Sequence, residues 1–296
     1  MSSNYDYYRI FYYVAQYHSF TEAANVLKNS QPNITRCMNN LEEELGCALF
    51  VRSNRGVSLT PEGQKLYAHV SIAFRQLEAG EEELRQSGGG SVSIGTNDAA
   101  LHLLLLDRLK LFRRQSPDVR VRISSHVTAQ TIASLRNGLV DFAVVSTPLH
   151  IRRPLREIRL IPFQDILIGG PRFADLANRQ QHLGDLGEYP IICLEEGTGT
   201  REFYQRLFAR HEVKLRVDLE VAALDQVLPM VISDLGLGFV PAQMAAQAIA
   251  DGQVCRIPLA EPIPERHVSL VCDESRTHRG AAERLRRLLC GAEESA

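Results

Sequence analysis

The 296-residue chain has no C-x-x-C pair, and its six cysteines, Cys37, Cys47, Cys193, Cys255, Cys272 and Cys290, are scattered along it. That spacing argues against a disulfide framework and against a zinc site, and it fits reduced thiols. No apolar run approaches the roughly 20 residues that cross a bilayer, so no membrane partner is expected. The opening stretch MSSNYDYYRI lacks a basic segment leading into an apolar one, so no secretory signal is read and a cytoplasmic location is expected. The short motifs of several enzyme classes are missing as well. There is no G-x-S-x-G, H-E-x-x-H or Walker loop, and the nine histidines are dispersed. The glycines of DLGLGFV do not stand in phosphate-loop order. Neither an enzyme nor a metal or cofactor is expected.

A surplus of positive charge is also lacking. Residues 1–60 hold five Lys/Arg and five Asp/Glu and are neutral, whereas nucleic-acid binders usually carry a basic footprint. The charges are segregated, however. Lys28, Arg36, Arg52 and Arg55 surround the stretch NSQPNITR, while Glu42, Glu43 and Glu44 lie about two helical turns further on. A local basic edge survives inside a neutral module.

What is present is a chain 45% hydrophobic and 23% charged, long enough for two or three compact units with a sizeable core. Ile10, Phe11 and Val14 mark one helix face. Ser19 with Glu22 has the spacing of a capping box, and Ala23, Ala24 and Leu27 follow. A short connection, KNSQ, leads to Ile34, Met38, Leu41 and Leu45 at helical spacing. Two short helices joined by a tight turn, the second opening on exposed polar groups, predict a helix-turn-helix over about 20–39. LFVRSNRGVSLT reads as a hairpin, or wing. Thr60 and Pro61 then start a long helix. Its apolar residues Leu66, Val70, Ala73, Leu77 and Leu84 approach a heptad seam, and SGGG at 87–90 closes it. That pattern predicts a dimerisation stalk. Beyond the glycines, SVSIG, VRVRIS and DFAVVS alternate with helical stretches near 99–114 and 128–138, which predicts a parallel sheet. A second such set runs from DILIGG to GLGFVP, and HVSLVC and a last helix near 278–290 close the chain. The expected fold is an N-terminal all-α winged helix-turn-helix with a long linker helix, then an α/β domain of two lobes around a cleft. The expected boundaries are 1–60 for the head, 61–90 for the linker and hinge, and 91–296 for the two-lobed domain. Lobe I comprises about 91–162 and 267–296, and lobe II about 163–266.

The stretch FTEAANVLKNSQPNITRCMNNLEEELGCALFVRSNRGVSLTPEG resembles the N-terminal signature of LysR-type transcriptional regulators, in its Ala-Ala pair, Ser-Gln-Pro, Leu-Glu…Glu-Leu-Gly, Leu-Phe and Leu-Thr-x-x-Gly. SPDVRVRI, LRNGLVDFAVV, GTGTREF and GLGFVP extend the likeness through the rest of the chain. The resemblance implies a winged-helix head, a dimerising linker helix and a periplasmic-binding-protein-like domain that senses a small molecule. It implies a pseudo-palindromic double-stranded operator, a dimer or tetramer of the chain itself, and RNA polymerase as a further contact. By the same resemblance Gln31 and Arg36 reach bases, Thr35 the backbone, and Arg52 and Arg55 make the wing contacts. The residue types agree. Gln and Asn suit adenine and Arg suits guanine, so Gln31, Asn33 and Arg36 can read a major groove. Ser30, Thr35 and the helix end opened by Pro32 suit phosphates. Asn33 departs from the family, where a small residue is usual.

In the two-lobed part, candidate ligand groups stand at strand and helix ends. Asn97 follows the first strand, Thr128 is expected as a helix N-cap, Ser146 and Thr147 follow FAVV, and Thr198, Thr200 and Arg201 open a helix. Hydroxyls and N–H groups converging at helix starts favour an anion, commonly a carboxylate, and Arg201 would add a charge-assisted pair. Two rival readings are a solute-binding protein, which leaves the first 90 residues unexplained, and redox sensing through Cys193.

Overall fold

The structure, a computed structural model, describes residues 4–53, 56–85, 90–276, 278 and 280–291. The chain divides into two units, residues 1–87 and 88–296. In the first, α1 (Tyr5–Tyr17), α2 (Phe20–Val26) and α3 (Gln31–Leu45) precede the antiparallel hairpin of β1 (Phe50–Ser53) and β2 (Gly56–Leu59), and α4 (Pro61–Arg85) follows. Ser19 caps α2 by accepting from the Glu22 N–H at 3.2 Å, and Thr60 caps α4 through the Gly63 N–H at 2.9 Å. Ile10, Phe11, Val14, Ala23, Ala24, Ile34, Met38 and Leu41 are buried together, which is the face that the helical spacing marks. Val70 is buried in this same core, with Leu66, Tyr67 and Phe74 packed beside it. The seam expected along α4 is therefore corrected in part. Its first positions serve the head's own core, Ala73 and Leu77 are exposed, and the side chain of Leu84 lies outside the described residues. The glycine run expected to end the helix also lies outside them, except Gly90.

The second unit holds two five-stranded sheets. The first is built from β3 (Ser91–Thr96), a helix of two segments, α5 (Asp98–Ala100) and α6 (Leu106–Gln115), joined by a π turn at Leu101–Leu105, β4 (Arg120–Ser125), α7 (Thr128–Arg136), β5 (Phe142–Ser146) and β6 (Leu155–Phe163). The second contains β7 (Asp165–Gly169), β8 (Ile191–Leu194), α8 (Gly199–Arg210), β9 (Leu219–Val221), α9 (Val227–Ile232), β10 (Leu237–Pro241), α10 (Ala242–Ala250) and β11 (Cys255–Ile257). The chain then returns to the first sheet through β12 (Arg266–Asp273) and ends in α11 (Gly280–Leu289). Strand orders are β4-β3-β5-β12-β6 and β11-β7-β10-β8-β9. Both sheets are mixed, which corrects the parallel expectation. The βαβ runs give the parallel pairs β3–β4, β3–β5, β8–β10 and β8–β9, whereas β12 pairs antiparallel with β5 and β6, and β10 with β7. Strands β6, β7 and β12 carry the chain into and out of each lobe, and one that returns from the far lobe can enter in the opposite sense. No described helix is long and apolar enough to cross a membrane.

Candidate functional site

The turn between α2 and α3 is built by main-chain chemistry. Lys28 adopts φ 50°, its N–H bonds to the Asn25 carbonyl at 3.2 Å, and the Asn29 N–H reaches back to the Ala24 carbonyl at 2.9 Å. That is a Schellman closure with lysine in place of the usual glycine. Asn29 then starts the next helix. Its Oδ1 accepts from the Ser30 N–H at 2.8 Å and from Asn33 Nδ2 at 3.0 Å, and Asn33 Oδ1 accepts from Arg36 Nη2 at 2.9 Å. The relay holds the Arg36 guanidinium along the first turns of α3. Asn29 was not among the sequence candidates, because its importance comes from the bonds it makes to Ser30 and Asn33 in the folded turn. Ser30, Gln31, Pro32 and Arg36 are exposed, Asn33 and Thr35 half-buried, and the Ser30 hydroxyl makes no capping bond. Ile34, Met38 and Leu41 hold the opposite face in the core, so the polar face turns outward. The main chain of Arg52 lies in β1, while its side chain and all of Arg55 fall outside the described residues.

In the second unit a cleft of about 240 Å³ opens between the lobes, with Asn97, Thr128, Thr198, Gly199, Thr200 and Leu224 on its wall. Asn97 is its organiser. Its Oδ1 accepts from the Ala100 and Ser146 N–H groups at 3.1 and 3.3 Å, and its Nδ2 donates to the hydroxyls of Thr128 at 3.0 Å and Ser146 at 2.9 Å. All four of its bonding positions are filled. Thr128 is the first residue of α7 and not its cap, a correction to the expectation: the cap position falls on Val127, which has no side-chain oxygen. The first-turn N–H groups of α7 therefore meet no capping side chain.

The Thr200 hydroxyl accepts from Arg266 Nη2 at 3.0 Å. Thr198 is used locally, accepting from the Arg201 N–H at 3.2 Å and donating to the Glu195 carbonyl at 2.9 Å. Arg201 turns away from the cleft. Its guanidinium bonds to the Leu194 carbonyl at 3.2 Å and lies 3.4 Å from Glu220, inside lobe II. Ser146 and Thr147 stand behind the wall. Ser146 Oγ receives Asn97 and also Arg266 Nη2 at 3.4 Å, and Thr147 Oγ1 accepts from the His267 N–H at 2.9 Å. Of the seven sequence candidates, Asn97, Thr128, Thr198 and Thr200 line the cleft, and Ser146, Thr147 and Arg201 do not.

Two residues escaped the sequence reading. Arg266 donates to Thr147 O, Ser146 Oγ, Thr200 Oγ1 and Asp165 Oδ2, and so joins both lobes behind the cleft. Asp98 clasps them from the front, accepting from the Ser125 hydroxyl at 3.1 Å and from the Leu224 N–H at 3.0 Å. Cys193 is buried, and burial pushes its thiol up despite the pull of the Arg201 guanidinium. A thiol held protonated and out of solvent is a poor nucleophile, which argues against the redox reading at this position.

A winged helix-turn-helix unit together with a two-lobed α/β unit enclosing a cleft defines a ligand-responsive DNA-binding regulator. The family model "bacterial regulatory helix-turn-helix protein, lysR family" matches residues 5–64, and that of the LysR substrate binding domain matches residues 85–292. The chain belongs to the LysR family of transcriptional regulators. It is 30% identical over 264 residues to the HTH-type transcriptional regulator BbuR of Bordetella bronchiseptica, across 87% of this chain and 78% of that one. Full-length CbnR complexed with its target DNA shares the fold at a TM-score of 0.74 with 18% identity, over 99% of this chain and 100% of that one. The effector-binding domain of QuiR in complex with shikimate does so at 0.60 with 16% identity, over 69% of this chain and 97% of that one.

Proposed function

We propose that this regulator reads a pseudo-palindromic operator with the start of α3, and that a small organic anion in the cleft changes its affinity for that operator. One observation carries the effector reading. The cleft hydroxyls of Thr128 and Thr200 each receive an N–H from behind, from Asn97 and Arg266 respectively, so each is left to donate its own proton into the cleft. The first turns of α7 and α8 meet at the same place and add main-chain N–H groups and two positive dipole ends. The Asp98 carboxylate on the same wall is taken up by the Ser125 hydroxyl and the Leu224 N–H, and the donors that remain favour a carboxylate or a similar anion.

At the head, Gln31 and Arg36 are assigned to base edges, Asn33 to holding Arg36, and Ser30, Pro32 and Thr35 to the backbone approach, with Arg52 and Arg55 on the wing. CbnR bound to its target DNA and QuiR bound to shikimate are precedents for both halves of this reading within the shared fold. The head at 1–60, a linker at 61–90 that pairs two copies, and a sensor at 91–296 belong to the same reading, with RNA polymerase as a further contact. The test is operator binding by the full chain, titrated with a panel of organic acids. The Thr128→Val, Thr200→Val double variant should bind operator like the parent without ligand and lose the response to the active acid. A response of unchanged size in that variant overturns the cleft assignment.

A further inference from the structure

Residues 152–163 carry four arginines, Arg152, Arg153, Arg156 and Arg159, against one glutamate, in a chain whose net charge is -2. They lead into and along β6, an edge strand whose one neighbour among the described strands is β12. The outer side of such a strand presents main-chain N–H and C=O groups that no other strand receives. From Leu155 to Arg159 the pairing with β12 is regular, and the register shifts only beyond it, between Ser269 and Val268. Side chains alternate along this stretch: Leu155 shares a core with Val271, and Ile158 shares another with Leu270. Arg156 and Arg159 therefore flank the edge from opposite faces. Their side chains are 66% and 68% exposed, and their present ion pairs do not commit them. Arg156 Nη1 lies 3.4 Å from Glu274 Oε1 in a solvent-exposed pair, which exchanges at little cost. Arg159 Nε stands 4.0 Å from Glu157 Oε1, an oxygen that already accepts from the Ser269 hydroxyl at 2.7 Å. Arg152 and Arg153 are exposed just ahead of the strand. Arginines on an edge repel a second copy of the same edge, whereas an acidic strand is attracted to them.

We propose that the free edge of β6 docks a partner protein through a short, extended acidic segment, which adds as a strand beside Leu155–Arg159. Main-chain hydrogen bonds hold the segment, and the arginines select its charge. Because Arg156 and Arg159 stand on opposite faces, the acidic residues that meet them are three positions apart in the segment.

The experiment is fluorescence anisotropy of the full-length protein with a labelled peptide, Thr-Thr-Glu-Thr-Thr-Glu-Thr, blocked at both ends. This peptide should bind, and more weakly as salt rises. Its counterpart with lysine in place of glutamate should not bind. A version N-methylated at each threonine keeps the charge but loses most of its main-chain donors, and it should not bind either. The Arg156→Gln, Arg159→Gln double variant should lose about threefold to thirtyfold in peptide affinity, the range expected of two cross-strand charge pairs. Its operator affinity should stay within roughly twofold of the parent's, since surface substitutions away from the head leave the DNA contacts in place. Arg156→Glu combined with Arg159→Glu should reverse the preference and accept the lysine peptide. Failure of the parent to bind the glutamate peptide would overturn the proposal. So would an N-methylated peptide that binds as well as the unmodified one, because charge alone would then suffice. A double variant that binds the glutamate peptide undiminished would place the segment elsewhere and overturn it too.

Discussion

Arg266 and Asp165 form an ion pair at 2.9 Å with 2% and 0% of their side chains exposed, joining the first residue of β12 to the first residue of β7. These are the points where the chain enters the two lobes' sheets, so the pair sits at the hinge between them. The guanidinium also lies over the rings of Phe163 and Phe203, at 5.1 and 4.9 Å from their centroids. Arg266→Met should destabilise the second unit by about 3–5 kcal/mol, because it leaves the Asp165 carboxylate buried without a counter-charge. Adding Asp165→Leu removes the stranded charge and should recover a large part of the loss. Thermal unfolding of the four proteins of this cycle measures the coupling, and purely additive losses would mean that the pair has none.

The same carboxylate sets an alkaline limit. The Tyr204 hydroxyl donates to Asp165 Oδ2 at 2.8 Å, and its pKa is raised well above the ordinary value, first by burial and then by the Asp165 charge, with Arg266 opposing. A folded-state pKa above the unfolded value of ~10 means that the unfolded chain loses this proton first as pH rises. The contribution is therefore fully present below about pH 10 and is lost progressively above it, at up to ~1.4 kcal/mol per pH unit. Tyr204→Phe should lower stability at neutral pH by about 1–3 kcal/mol, since Asp165 loses a donor, and should flatten the alkaline decline by one proton. Stability curves of both proteins between pH 8 and 11 decide this, and parallel declines would contradict it.

Arg266 shows why the cleft was only partly legible in the sequence. Its acceptors in Thr200, Asp165, Thr147 and Ser146 lie 66, 101, 119 and 120 positions away, and no local pattern marks it. Thr128 and Thr200 were legible, because hydroxyls beside helix starts at strand ends are where α/β sheets collect ligands. Asn97 was legible as a polar residue, but its role was not, since both faces of its amide are filled by groups that meet only in the folded lobe. The head was easier to read. Ser19, Thr60, Pro32 and the Ile34–Met38–Leu41 spacing act within a few turns of themselves. Strand β6 was missed because Arg156, Glu157, Arg159 and Pro162 interrupt its apolar residues, and Leu155 packs in a different core from Ile158, Ile161 and Phe163 at this sheet edge.

The Asn33–Arg36 bond at 2.9 Å makes the two residues a unit at the start of α3. Gln31→Ala and Arg36→Ala should each cost about 1–3 kcal/mol of operator affinity and relax specificity at one base pair per half-site. Asn33→Ala should cost less in Arg36→Ala than in the parent, because what it removes is the hold on Arg36. Lys28→Ala should weaken all sequences alike and lower the salt slope by about one phosphate contact. Binding titrations on matched and mismatched duplexes at two salt concentrations separate these effects. Full additivity between Asn33 and Arg36 would assign Asn33 a contact of its own.

Helix α4 offers the last contrast, between two apolar residues seven positions apart. Val70 is 7% exposed and packs in the core of the first unit, whereas Leu77 is 49% exposed. A glutamate at Val70 would bury a charge among Phe11, Tyr12 and Phe74, and a charge without a partner there is severely unfavourable. Val70→Glu should therefore unfold the head and abolish DNA binding whatever the oligomeric state. Leu77→Glu stays in solvent within the isolated unit, so the head should remain folded. If α4 pairs two copies of the chain through this face, as a heptad seam would, that charge should meet its symmetry mate or an apolar neighbour across the pair. Light scattering should then show Leu77→Glu as a monomer, with native helix content by circular dichroism and operator affinity reduced toward that of a single half-site. A Leu77→Glu protein that keeps the parental mass would move the dimer contact off this part of α4. A Val70→Glu protein with a folded head would contradict the core assignment.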